Sequence, residues 1–122
     1  MYGPTIIFDL GEYASFSGGA VRTYFALIPF APNVKSLWVS LVAQSLDANG
    51  LLEVFLEHSL DGMIWEEVEA LNSIASGGAM TEIKQATKDF APLARLRLEV
   101  SDSTLTNQLT GTLEVRAAGK PF

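Results

Sequence analysis

The feature that most constrains this chain is a hydrophobic repeat of two. From Ser36 to Ser45, Leu37, Val39, Leu41 and Ala43 fall on one side, and Trp38, Ser40, Val42 and Gln44 on the other. The same alternation sets Leu52, Val54 and Leu56 against Glu53, Phe55 and Glu57. It returns with Leu96, Leu98 and Val100 against Arg95, Arg97 and Glu99, and again with Leu113, Val115 and Ala117 against Thr112, Glu114 and Arg116. Side chains alternate faces along a strand, so this pattern demands sheets with one packed and one outer face, the arrangement of antiparallel strands.

Further strands are expected at Thr5–Leu10, Val21–Ile28, Ile64–Leu71 and Thr81–Thr87, with a short one near Glu12–Phe16. The charges Glu82, Lys84 and Lys88 would also suit a helical turn or two over Thr81–Phe90, but strand is the reading taken. Turn formers punctuate the whole length: Gly18-Gly19, Pro29, Pro32-Asn33, Asp47-Ala48-Asn49-Gly50, Asp61-Gly62, Gly77-Gly78, Pro92 and Ser101-Asp102-Ser103. Strands and turns at this spacing predict an all-β fold, an antiparallel β-sandwich of jelly-roll type with about eight strands, in a single domain spanning 1–122. Two pairings follow. Leu51–Ser59 and Ile64–Leu71 flank Asp61-Gly62, which favours a two-residue type I′ hairpin. Arg95–Glu99 and Thr112–Arg116 would pair around Ser101–Leu109, setting arginine against glutamate.

Several function classes find no support in the residues. Fourteen acidic against eight basic residues give a net charge of −6, a field that repels phosphate backbones and anionic lipid. No apolar run reaches the roughly 18–20 residues of a membrane helix, since Arg22, Asn33 and Lys35 interrupt the richest region. The start, Met1-Tyr2-Gly3-Pro4, lacks the order of a signal peptide, so a complete, unprocessed product is expected. With no cysteine there is neither disulfide nor thiolate.

Catalytic groups are equally scarce. His58 is the only histidine, and its neighbour Glu57 points to the opposite face of the strand. The carboxylates Glu53, Glu57, Glu66, Glu67 and Glu69 could in principle supply a glycosidase pair, but such a run beside a turn reads as a solvated face. Asp47, Asn49 and Asp61 offer oxygen ligands, yet Asp47-Ala48-Asn49-Gly50 is too short for an EF-hand loop and reads as a turn. Gly18-Gly19 and Gly77-Gly78 lack the Lys-Ser/Thr of a phosphate loop. No catalytic, metal or cofactor site is expected, and no enzyme activity.

What the chain does have is surplus apolar material: 48% hydrophobic residues and a mean hydropathy of +0.25 in a domain of 13.2 kDa. Part of it is expected to face another subunit or a partner protein. The candidate contact residues are Tyr2, Ile6, Ile7 and Phe8 in an N-terminal strand able to add to a neighbour's sheet edge, with Tyr24, Phe25 and Phe30 in the stretch Tyr24–Pro32.

The most specific segment is Ser59-Leu60-Asp61-Gly62-Met63-Ile64-Trp65, a turn over which the tryptophan packs back. It resembles the SxDGxxW hairpin of discoidin-type and other carbohydrate-binding sandwiches, and of small virion proteins of tailed bacteriophages. Ala91-Pro92-Leu93-Ala94-Arg95-Leu96-Arg97-Leu98-Glu99-Val100 and Gly111-Thr112-Leu113-Glu114-Val115-Arg116-Ala117 are similar to later strands of the phage proteins. The likeness covers about the second half of the chain. It implies a head decoration, or cement, protein made in the host cytoplasm and carried on the capsid exterior. Its partners would be the major capsid protein and copies of itself, as dimer or trimer. The alternative it implies is a carbohydrate-binding module or tail-associated adsorption protein, with Trp38, Trp65 or a nearby tyrosine or phenylalanine as the platform for a glycan.

Overall fold

The computed structural model describes residues 2–11, 22–46, 50–75, 78–102 and 112–122. Eight strands account for most of them: β1 (Tyr2–Gly11), β2 (Arg22–Leu27), β3 (Val34–Leu46), β4 (Gly50–Ser59), β5 (Glu66–Ala75), β6 (Gly78–Gln85), β7 (Leu93–Asp102) and β8 (Thr112–Pro121). One 3₁₀ turn, Ala31–Asn33, leads into β3. The segment considered for helix is β6 up to Gln85, followed by an extended connection to β7.

Two four-stranded antiparallel sheets pack face to face, in the orders β1-β8-β3-β6 and β2-β7-β4-β5. Most connections cross from one sheet to the other, which is the jelly-roll wiring of an antiparallel β-sandwich. The inner rows are those the alternation marks: Leu37, Val39, Leu41 and Ala43 from β3; Leu52, Val54 and Leu56 from β4; Leu96, Leu98 and Val100 from β7; and Leu113, Val115 and Ala117 from β8, all buried in one cluster. Interdigitation of the two inner faces makes the core.

Three expectations change. β7 and β8 do not pair, because they belong to opposite sheets; β7 lies between β2 and β4, and β8 between β1 and β3. Alternation orients a strand but does not choose its neighbour, and the crossing connection sends β8 away. Arg95 and Arg97 therefore meet glutamates of β4 and β5, while Arg116 pairs within its own strand with Glu114. Second, β5 begins at Glu66, so six residues, Leu60–Trp65, join it to β4, not two. Third, Glu57 is buried at 6% exposure although it sits on the outer face, because two arginine side chains cover it. The strand expected near Glu12–Phe16 lies outside the described residues.

Chain direction gathers β2–β3, β4–β5, β6–β7 and the C-terminal Phe122 at one end of the sandwich. Most of the exposed large apolar side chains among the described residues belong to that end.

Candidate functional site: an apolar end built on the β4–β5 loop

The β4–β5 loop is closed by side chains in place of a strand ladder. Ser59 Oγ accepts the amides of Gly62 (2.9 Å) and Asp61 (3.3 Å) and donates to Asp61 Oδ1 (3.0 Å). Asp61 Oδ1 in turn accepts the amides of Met63 (2.8 Å) and Ile64 (3.0 Å). Asp and Ser compete for nearby backbone amides in this way at turns. Gly62, at φ 79°, supplies the left-handed residue the bend requires. Trp65 then folds back, and its indole N–H donates to Gly62 O at 3.2 Å.

The loop is also tied to the sheet. The Arg95 guanidinium lies 4.2 Å from the Trp65 ring and 4.1 Å from that of Phe25, and its Nε donates to Glu57 at 2.7 Å. Arg97 covers Phe55 at 4.3 Å and binds Glu57 and Glu67. Cation–aromatic contacts with an ion-paired guanidinium thus run across the outer face to the base of the loop. The β6–β7 connection is pinned to the same place, where the Ala91 amide donates to His58 Nδ1 at 2.9 Å.

This braced loop exposes apolar side chains. Leu60 is 88% exposed, Met63 84% and Ile64 77%. Among the described residues nine large apolar side chains are exposed, and six of them (Leu27, Leu60, Met63, Ile64, Leu93 and Phe122) lie at this end. A turn normally carries polar residues at its tip, so three large apolar ones on a hydrogen-bonded frame make this loop the candidate contact surface. An open cavity of about 410 Å³ lies beside the loop, lined by His58, Leu60, Ile64, Glu66 and Ala91 among others.

Ser59, His58 and Asp61 all border that cavity, but their hydrogen bonds do not form a nucleophile–base pair. The Ser59 proton goes to Asp61, and the Nδ1 lone pair of His58 is taken by a backbone amide. His58 Nε2 faces Glu66 at 4.0 Å. Of the oxygen ligands considered for a metal, Asp47 and Asn49 lie outside the described residues, and the Asp61 carboxylate is engaged by the loop. Glu69 is likewise engaged, by Thr87 and the Lys88 amide.

The contact residues expected from sequence separate into two groups. Phe8 and Phe30 belong to the core, and Ile7 and Tyr24 are half-buried against it. Ile6 (47% exposed) and Phe25 (51%) remain on the outer faces, and Tyr2 is in register with Gly119 of β8. Ser59, Asp61, Gly62 and Trp65 do come together as one motif. The residues that sequence reasoning passed over are Leu60 and Met63, given no role of their own, and Ile64, placed at the start of a strand that in fact begins at Glu66. The available signal was their size and apolarity inside a turn.

The Asp61 carboxyl is held below the usual carboxylate range, first by the Ile64 amide, then by the Met63 amide and the Ser59 hydroxyl. A depressed folded-state value means that ionised Asp61 supports the loop above the ordinary carboxylate pKa, and that this support is lost as pH falls through the depressed value. Loop order is therefore expected to persist at neutral and mildly acidic pH and to fail only below about pH 4. At neutral pH, Asp61→Ala is expected to speed amide exchange at Met63 and Ile64 by about tenfold. Amide exchange followed by NMR checks both; an unchanged rate would contradict the bracing role.

No known protein family matches this sequence, and comparison with curated proteins finds no match either.

Proposed function

We propose that this protein is a non-catalytic virion component of the decoration or cement kind. It docks by its apolar end on the exterior of a bacteriophage capsid, oligomerises, and ties neighbouring major capsid subunits together. The observation that supports docking most is the braced loop presenting Leu60, Met63 and Ile64 to solvent. The phage setting rests on the resemblance of the SxDGxxW hairpin and the strands that follow it.

A rigid loop loses little conformational entropy on binding, so more of its apolar contact appears as affinity. Glu66, whose side chain is 84% exposed, flanks the loop in a chain of net charge −6. Complementarity calls for an apolar socket with a basic rim, a protein surface and not an anionic bilayer. Repeated over a shell, weak contacts accumulate avidity, and binding to the assembled state alone stabilises it by mass action. The glycan reading has less support, since each tryptophan carries a cation on its ring, Arg95 on Trp65 and Lys120 on Trp38 at 5.2 Å.

Shells assembled with and without the protein, compared by thermal disruption, test the reading. A higher disruption temperature with shell-bound protein is expected. An unchanged temperature with no protein on the shell, or selective capture by a glycan array, would overturn it.

A further inference from the structure

Each sheet has two edges, and the four edge strands differ in how they are protected. β5 and β6 face each other along one side of the sandwich, where side chains stitch them together. The Ser73 amide donates to the Glu82 carboxylate (3.1 Å), Asn72 Nδ2 reaches the carbonyls of Glu82 (3.2 Å) and Val39 (3.4 Å), and Glu69 takes the amides of Thr87 and Lys88. β1, on the other side, contains Pro4 and breaks register with β8 at three places. Proline, bulges and side-chain cover are the usual means of blunting an edge.

β2 has neither a proline nor a bulge. Arg22-Thr23-Tyr24-Phe25-Ala26-Leu27 pairs with β7 without a single register shift. The amide of Ile28 bonds Ala94, so by the alternation of an antiparallel ladder Ala26, Tyr24 and Arg22 also turn their backbone groups toward β7. Thr23, Phe25 and Leu27 turn theirs to the open edge. Phe25 and Leu27 also carry exposed side chains there, at 51% and 62%.

We infer that β2 is the self-association edge of this protein, pairing antiparallel with β2 of a second copy about a two-fold axis at Phe25. The strand is self-complementary in that register. Phe25 meets Phe25 of the second copy, Thr23 meets Leu27, and Arg22 falls opposite Ile28, so no like charges oppose each other. Charge favours this edge over the rest of an acidic molecule. The only charge on the strand is Arg22; its neighbour β7 adds Arg95, Arg97 and one carboxylate, Glu99, which pairs with Arg97, while the other glutamates that bind these arginines stand further in, on β4 and β5. The product is an eight-stranded sheet with a closed, isologous interface.

Antiparallel pairing points the two apolar ends in opposite directions. A dimer lying along the shell could then meet a capsid subunit with one end on each side. This last step rests on the docking proposed above; the dimer itself does not.

The test is solution mass by light scattering at about 10 µM, where the wild-type chain is expected at twice 13.2 kDa. Phe25→Glu places two carboxylates face to face on the two-fold axis, which is strongly unfavourable in an antiparallel pair. In the monomer the new glutamate lies beside Arg95, so folding is expected to survive, and circular dichroism checks it. A rise of at least about tenfold in the dimer dissociation constant is expected for Phe25→Glu. Ile83→Glu, at a site 66% exposed on the other sheet, is expected to leave the dimer intact. A monomeric wild-type chain, or a folded Phe25→Glu chain that remains dimeric, overturns the inference. Shell binding by the Phe25→Glu monomer, at lower occupancy, separates a failed dimer from failed docking.

Discussion

Glu57→Ala is expected to destabilise the fold by about 3 kcal/mol, at the lower end of the range for breaking a buried ion pair. The Glu57 side chain is 7% exposed and lies between two guanidiniums, Arg95 through Nε and Arg97 through Nη1. Those arginines are themselves only 21% and 19% exposed, and their faces rest on Phe25, Trp65 and Phe55. Removing the carboxylate leaves Arg95 without an opposite charge among the described residues. Arg97 keeps Glu67 and Glu99, and it retains some access to water, which holds the cost below the upper end of the range. In a domain of this size such a loss lowers the melting temperature by roughly 10 °C. Glu67→Ala, at a carboxylate 46% exposed, is expected to cost less than about 1 kcal/mol. Thermal and urea denaturation of both variants provide the check. Equal, small losses would show that the network is surface decoration.

Met63→Asp combined with Ile64→Asp gives the second large effect, on docking and not on folding. Both side chains are more than three-quarters exposed, and their amides are held by Asp61 whatever the side chain. Burying each at a contact is worth about 1.5–3 kcal/mol, so losing both amounts to at least a hundredfold per site, before the cost of burying two carboxylates. The melting temperature of the free protein is expected to move by no more than a few degrees. Co-sedimentation with shells, alongside a melt of the free protein, measures the two separately. Undiminished binding by a folded double variant would remove this loop from the contact.

The sandwich was legible in the sequence because a period of two marks buried rows directly. The Leu, Val and Ala rows of β3, β4, β7 and β8 are the core. Strand neighbours were not legible. Arg97 and Glu114 look like complementary rows of a hairpin until the chain crosses between sheets and places Arg97 against Glu57 and Glu67. Glu57 shows the limit of an inside/outside reading. It alternates onto the outer face, yet long arginine stems lying along that face bury it. The Asp61-Gly62 dipeptide announced a turn but not its length, because Ser59 and Asp61 close the loop with side-chain bonds that no two-residue rule contains. Apolar richness over Tyr24–Pro32 suggested contact, whereas Phe30 goes to the core and Phe25 stays outside. Burial of an aromatic residue near a strand end depends on what the opposite sheet offers, which one strand's sequence does not state.

The most direct test of the central claim is an electron cryomicroscopy reconstruction of a decorated shell, at a resolution that orients a single sandwich. The account predicts that the end bearing Leu60, Met63, Ile64 and Phe122 meets the capsid, with the loop seated in an apolar, basic-rimmed depression. Attachment through the opposite end, or through the outer face of either sheet with this loop in solvent, would contradict it.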